Sequence, residues 1–163
     1  MMDSSQSPSH PHQEVVRRGM VSWLTQPPQG VARVSVESHA FGAIGVSVPE
    51  SDPIPDEATP GELLAITHGM CMATVLSQAL VEGGSSANEL IVEVECTFAG
   101  PGPERELIAL DLEVRGRVPG LDEARFREAA DNARPRYLRF IGARDDMPGD
   151  LEAVLESSAP LES

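Results

Sequence analysis

Two residues three positions apart, His68 and Cys71, hold the most reactive chemistry that this sequence offers. A cysteine thiolate is a nucleophile and a reductant, and on a helix an imidazole one turn away lies within side-chain reach of it. An unperturbed thiol, with a pKa near 8.5, is only about 3% ionised at pH 7, so a working nucleophile needs its anion favoured by roughly 2 kcal/mol. Cys71 stands too far into its helical run for the helix dipole to supply that, so a cation is expected beside it. The second thiol, Cys96, falls on the inward side of an alternating strand pattern and reads as core.

The segment that must carry His68 and Cys71 opens with a helix-start signature. Thr59 stands at the cap, Pro60 at the first helical position and Glu62 in the first turn, where the helix dipole favours an anion. Gly83-Gly84 closes it, and no formally charged residue occurs between Leu63 and Val81. Helical spacing aligns Leu64, His68, Cys71 and Val75 along one stripe. Thr67, His68, Thr74, Ser77 and Gln78 interrupt the run, and no aromatic belt or basic flank brackets it, so the expectation is a central buried helix and no membrane span.

Around this helix the pattern turns to strands. Val15 to Trp23, then Val31, Val34 and Val36 after the turn Pro27-Pro28-Gln29-Gly30, then Ile44 to Val48 read as three short strands. Pro49 to Pro60 is a proline-rich acidic connection. Leu90, Val92, Val94, Cys96 and Phe98 alternate with polar residues, as do Ile108, Leu110, Leu112 and Val114, and these two runs are expected to pair as a hairpin across Pro101-Gly102-Pro103. Asp122 caps a second helix with apolar Phe126, Ala129, Ala130 and Ala133, which Pro135 is expected to kink or break. Leu151 to Leu155 is a last short strand. The class is α+β, antiparallel sheets packed on two helices. One domain is expected over residues 14–157, with a disordered tail at 1–13, where His10 and His12 read as solvated, and a loose tail at 158–163.

Composition narrows the function. The formal charge is −14, from 26 acidic and 12 basic residues, which disfavours nucleic acid or an anionic membrane surface as a partner. A neutral small molecule or another protein fits better. Every basic residue is Arg, so mechanisms built on lysine are excluded. Two cysteines and no evident leader point to a cytoplasmic protein with reduced thiols, and neither cofactor nor metal is expected.

Taken together, Arg18-Gly19-Met20-Val21-Ser22-Trp23, Val34-Ser35-Val36-Glu37-Ser38, the helix from Pro60 to Leu80 with its His-x-x-Cys order, and Val118-Pro119-Gly120-Leu121-Asp122 resemble the OsmC/Ohr family, named for osmotically inducible protein C and organic hydroperoxide resistance protein. The resemblance spans about residues 15–141. It implies an intertwined homodimer with two long central helices, and a peroxidatic cysteine, here Cys71, that reduces organic hydroperoxides. In peroxidase members a second cysteine precedes a proline of the second helix, and here Arg134 precedes Pro135. The family's glutamate falls on Gly61 with Glu62 one place late, and its arginine on Ala32 with Arg33 one place late. The resemblance thus implies a one-Cys thiol peroxidase in oxidative-stress defence, with Cys71 as nucleophile, Arg134, Arg33 or His68 supporting its anion, Glu62 beside them, and an external thiol as reductant. The alternative is a protein of the same fold that binds a small apolar or thiol-reactive ligand at the dimer interface without turnover.

Overall fold

The capping signature at Thr59 does what its chemistry dictates. In the computed structural model, which describes residues 17–23, 30–38, 44–48, 58–101 and 104–156, Thr59 Oγ1 accepts from the Glu62 backbone N–H at 3.2 Å. The Glu62 carboxylate in turn accepts from the Thr59 backbone N–H at 2.7 Å, completing a capping box. From this start α1 runs Pro60–Glu82. The other elements are β1 Gly19–Trp23, β2 Gly30–Val36, β3 Ile44–Val48, β4 Glu89–Ala99, β5 Glu106–Arg117, α2 Glu123–Phe140 and β6 Leu151–Leu155. The expected tails at 1–13 and 158–163, the Pro27-Pro28 turn and the connection before Ala58 lie outside the described residues.

Two three-stranded sheets form, β1-β2-β3 and β4-β5-β6. The first is antiparallel, with Gly19 opposite Val36 and Ala32 opposite Val46. In the second, β4 and β5 make the expected hairpin, Leu90 opposite Gly116 and Val94 opposite Leu112. Its third strand corrects the expectation of purely antiparallel sheets, because β6 joins β5 in parallel, Val114 opposite Ala153. The reason is connectivity: α2 carries the chain back across the sheet before β6 begins, so the unit is a strand-helix-strand crossover.

The core lies between this second sheet and the two helices. Met72, Leu76 and Leu80 of α1 meet Leu112 and Val114 of β5, Phe126, Ala130, Ala133 and Leu138 of α2, and Ala153 of β6. Ile108 is a correction, being 44% exposed where it was expected to face inward. The register shifts between Thr97 and Phe98, so that Phe98 pairs with Leu107 and Thr97 with Ala109, leaving Ile108 as the unpaired residue of a bulge. Pro135 does not break α2, which continues through it. The bond it forfeits is to the carbonyl of Asp131, and both residues are exposed, so water can take that carbonyl while buried Ala133, Tyr137 and Leu138 hold the helix on its inner side.

Gly116 of β5 lies against Phe126 of α2. A Cβ placed there would stand 2.5 Å from Cζ of Phe126, whose ring is fully buried. Gly116→Ala is therefore expected to lower unfolding stability by about 1–3 kcal/mol through overpacking, read by denaturant melts, and Phe126→Leu in the same chain to recover part of it. Equal stability of Gly116→Ala and wild type would contradict this packing.

The first sheet is differently placed. Its main contact with the other described elements is β3 against α1. Met20 and Val21, neighbours on β1 and so on opposite faces, are 66% and 65% exposed. Neither face of β1 is covered by the other described residues.

Candidate functional site

The inner stripe of α1 brings His68 to α2. His68 is buried, and its Nδ1 lies 2.9 Å from the hydroxyl of Tyr137, whose ring is fully buried and meets the imidazole edge-on at 75°. Burial lowers the imidazole pKa, so His68 is neutral at neutral pH. Burial also pushes the Tyr137 phenol far up, and negative charge on Cys96 and on Cys71 adds to this, while Arg134 opposes it. Tyr137 is thus the residue whose ionisation both thiols and Arg134 influence, and sequence reading did not single it out. Its partner is 69 positions away, and the helical period that makes Tyr137 a core residue carries no sign of what its hydroxyl meets.

Cys71 sits one turn after His68, half-buried, at the margin of the α1–α2 core. Its thiol pKa is raised, and desolvation is the cause. The cation expected to depress it is not supplied by the described residues. The guanidinium of Arg134, one of the cations expected there, donates to the carbonyl of Gly149 and fastens the loop before β6 onto α2. His68, another of the expected supports, is neutral. Arg33 lies on β2 with its backbone opposite Ser22 and Gly45, and its side chain is outside the described residues. Glu62 is taken up by the capping box, a structural use that its position in the first turn already allowed. Arg136 belongs to another pair, a two-pronged bridge to Glu82 at 2.8 and 3.2 Å.

Cys96 is also half-buried with a thiol pushed up by burial, on the face of β4 that looks at the helices. It forms no disulfide with Cys71. Gly69 is the α1 residue against β4, where a Cβ would be 3.4 Å from Val94 Cγ2. Cys71 follows two residues later, about 200° around the helix.

Beyond Cys71, α1 turns outward. Ile66, Met70 and Val81 are each more than 60% exposed, and Ala65, Ile66, Gly69 and Met70 line a shallow groove of about 330 Å³ with Leu90 and Val92. By length and composition α1 could cross a membrane. Its capping box, its packing on α2 and its closure onto β4 instead make it the central helix of the fold.

Neither a family model nor a curated protein matches the sequence. Solved structures do match. An organic hydroperoxide resistance protein from Elizabethkingia anophelis superposes with a TM-score of 0.66 at 14% identity, covering 89% of this chain and 99% of that one. An OsmC-like protein of unknown function from Vibrio cholerae gives 0.63 at 11%, covering 88% and 99%. The organic hydroperoxide resistance protein OhrB of Bacillus subtilis gives 0.60 at 11%, covering 87% and 98%. With both sheets, both helices and nearly the whole length of each neighbour accounted for, the chain has the α+β fold of the OsmC/Ohr proteins, in a sequence far diverged from theirs.

Proposed function

We propose that this protein is a thiol-dependent hydroperoxide reductase of the one-Cys type, acting as a cytoplasmic homodimer on small organic hydroperoxides, with Cys71 as its nucleophile. The observation that carries the reading is the position of Cys71: a half-buried thiol on the central helix of an OsmC/Ohr fold, one turn from His68, where the covered side of α1 gives way to its bare apolar side. A second copy laid on that bare side and on both uncovered faces of β1 would wall in a pocket at Cys71. Isolated three-stranded sheets are marginal without a covered face, so the exposed β1 supports pairing of chains.

In the proposed step the Cys71 thiol loses its proton to water. The thiolate attacks one peroxide oxygen, the S–O bond forms as the O–O bond breaks, and the departing alkoxide takes a proton from solvent. Cys71 is left as a sulfenic acid, and the organic hydroperoxide is reduced to the alcohol. An external thiol condenses with the sulfenic acid, releasing water, and a second external thiol releases the resulting mixed disulfide.

The raised Cys71 pKa gives this chemistry a signature. The thiolate fraction at pH 7 is below that of a free thiol, so sulfenic acid formation with cumene hydroperoxide is expected to be slow at pH 7 and to climb roughly tenfold per pH unit toward pH 9. Trapping with a sulfenic-acid reagent and mapping by mass is expected to place the label on Cys71. A rate already flat from pH 6 would show an activating cation brought in by the second copy, and no label at millimolar peroxide at any pH would end the reading.

The second reading, a binder of a small apolar or thiol-reactive ligand without turnover, is favoured by one observation. Arg134 and Glu62 are both committed to structural bonds, so no charged group of the described chain offsets the burial of Cys71. Saturable binding of an apolar probe in a protein that never forms the sulfenic acid would decide for it.

A further inference from the structure

At one point in the interior of this fold the two helices meet through polar atoms. His68 of α1 is 6% exposed and Tyr137 of α2 is fully buried, and 2.9 Å separates the imidazole Nδ1 from the phenol oxygen. None of the other buried residues of α1 or α2 has a polar side chain. The Tyr137 hydroxyl has one hydrogen, and Nδ1 is its recorded partner among the described residues. A buried hydroxyl that donates to nothing loses the hydrogen bond it made with water, so Tyr137 donates and Nδ1 accepts. The phenol, whose ionisation burial pushes far up, keeps that hydrogen, and the neutral ring carries its own on Nε2.

We propose that this pair is an acid-released joint between α1 and α2: a proton on Nδ1 removes the acceptor that the buried Tyr137 hydroxyl needs, and the helices lose the polar contact that joins them. The proposal stands apart from the reductase reading. Its bearing on the candidate site is that Cys71 packs at the margin of the same core.

Once Nδ1 bears a hydrogen, two donors face each other. The hydroxyl can only turn to accept, and its own hydrogen is then left in an apolar core without a partner. An imidazolium finds no carboxylate to offset its burial among the described residues that pack here. The ionisable groups that act on Tyr137 are Cys96 of β4, Cys71 of α1 and Arg134 of α2. Glu89, Glu93 and Glu95 of β4 and Glu152 of β6 are exposed, Glu62 belongs to the capping box, Glu82 is tied to Arg136, and β3 has no ionisable residue. Burial lowers the affinity of His68 for the second proton, whereas the unfolded chain takes it up near the ordinary histidine value of about 6.5. The unfolded state therefore binds more protons below that pH, and stability falls as the pH drops from about 6.5 toward the lowered folded value. Carboxylates titrate near about 4, so this window opens above theirs.

The test uses the reduced full chain at one protein concentration. Between about pH 7.5 and about pH 5.5 the unfolding constant, read from denaturant melts, is expected to rise with a slope that approaches tenfold per pH unit per chain from His68 alone. His68→Asn, whose amide oxygen stands near the place of Nδ1 and takes no proton, is expected to lose that part of the slope, while His10, His12 and His39 still contribute theirs. Equal slopes in the two proteins overturn the proposal. Nitrogen-15 spectra of the wild type are expected to show a hydrogen-free Nδ1 on His68 at pH 7 and half-protonation at a lower pH than in an ordinary histidine. An Nδ1–H at pH 7, or titration at about 6.5 or above, overturns it as well. Tyr137→Phe, which takes away the donor that favours the neutral ring, is expected to move the His68 titration upward, and an unmoved titration sinks the role of the hydroxyl. Should His68→Asn fail to fold, the titrations of wild type and Tyr137→Phe still decide.

Discussion

Cys71→Ser is expected to bring hydroperoxide consumption in the presence of excess thiol down to the background without protein, the largest functional effect of any single substitution in the chain. A serine hydroxyl does not ionise near neutral pH, and its oxygen cannot take up a peroxide oxygen as sulfur does. The change is close to isosteric at a half-buried site, so stability is expected to move by about 1 kcal/mol or less, and loss of activity will not be loss of fold. Cys96→Ser is the matched control. Because Cys96 lies on β4, while Cys71 points about 200° away from the α1 face that meets that strand, Cys96→Ser is expected to leave the initial rate within about twofold. Turnover persisting in Cys71→Ser, or vanishing in Cys96→Ser, would move the nucleophile to the strand.

Gly149→Ala is expected to have the largest effect on stability. Gly149 has φ +134, a region closed to residues with a Cβ, and a Cβ there would stand 1.9 Å from the carbonyl oxygen of Leu110. Backbone cannot withdraw as a side chain can, because Leu110 N–H donates to Pro148 at 2.9 Å and Leu112 N–H to Asp150 at 2.9 Å on either side. The same glycine's carbonyl holds Arg134. A loss of about 4 kcal/mol or more is expected, in the range reserved for a clash with fixed backbone, with hydrogen exchange showing β6 released first. A melting curve that matches wild type would mean that the loop approaches β5 otherwise than described. Arg134→Met, which removes the bond to Gly149 and keeps the glycine, is expected to fall between the two.

What the sequence made legible was local. Thr59, Pro60 and Glu62 name a helix start because each solves a problem of unpaired N–H groups within four residues. The alternation from Leu90 to Phe98 and from Leu110 to Val114 names a hairpin, because period and turn residues lie in one stretch of chain. What stayed hidden was settled at a distance. Parallel pairing of β6 follows from where α2 ends, Ile108 from a one-residue bulge, and the survival of α2 through Pro135 from the buried anchors on both sides of it. The site shows the same division. Cys71 and His68 were visible as a pair three apart, but Arg134 was placed beside them by its position in a pattern, and nothing local to Arg134 reveals that a carbonyl 15 residues later takes its guanidinium. Glu62 was open to two uses from sequence, and the capping box took it.

If chains pair as proposed, strand β1, bare on both sides among the described residues, makes abundance a thermodynamic variable for this protein. On the proposed pairing, the free energy that completes its first layer comes from another copy, so the equilibrium between folded and unfolded chains shifts with total concentration. A cell that synthesises little of it would hold a smaller properly assembled fraction, not merely fewer molecules. Gene dosage would then tune how much of each chain is usable as well as how many chains there are.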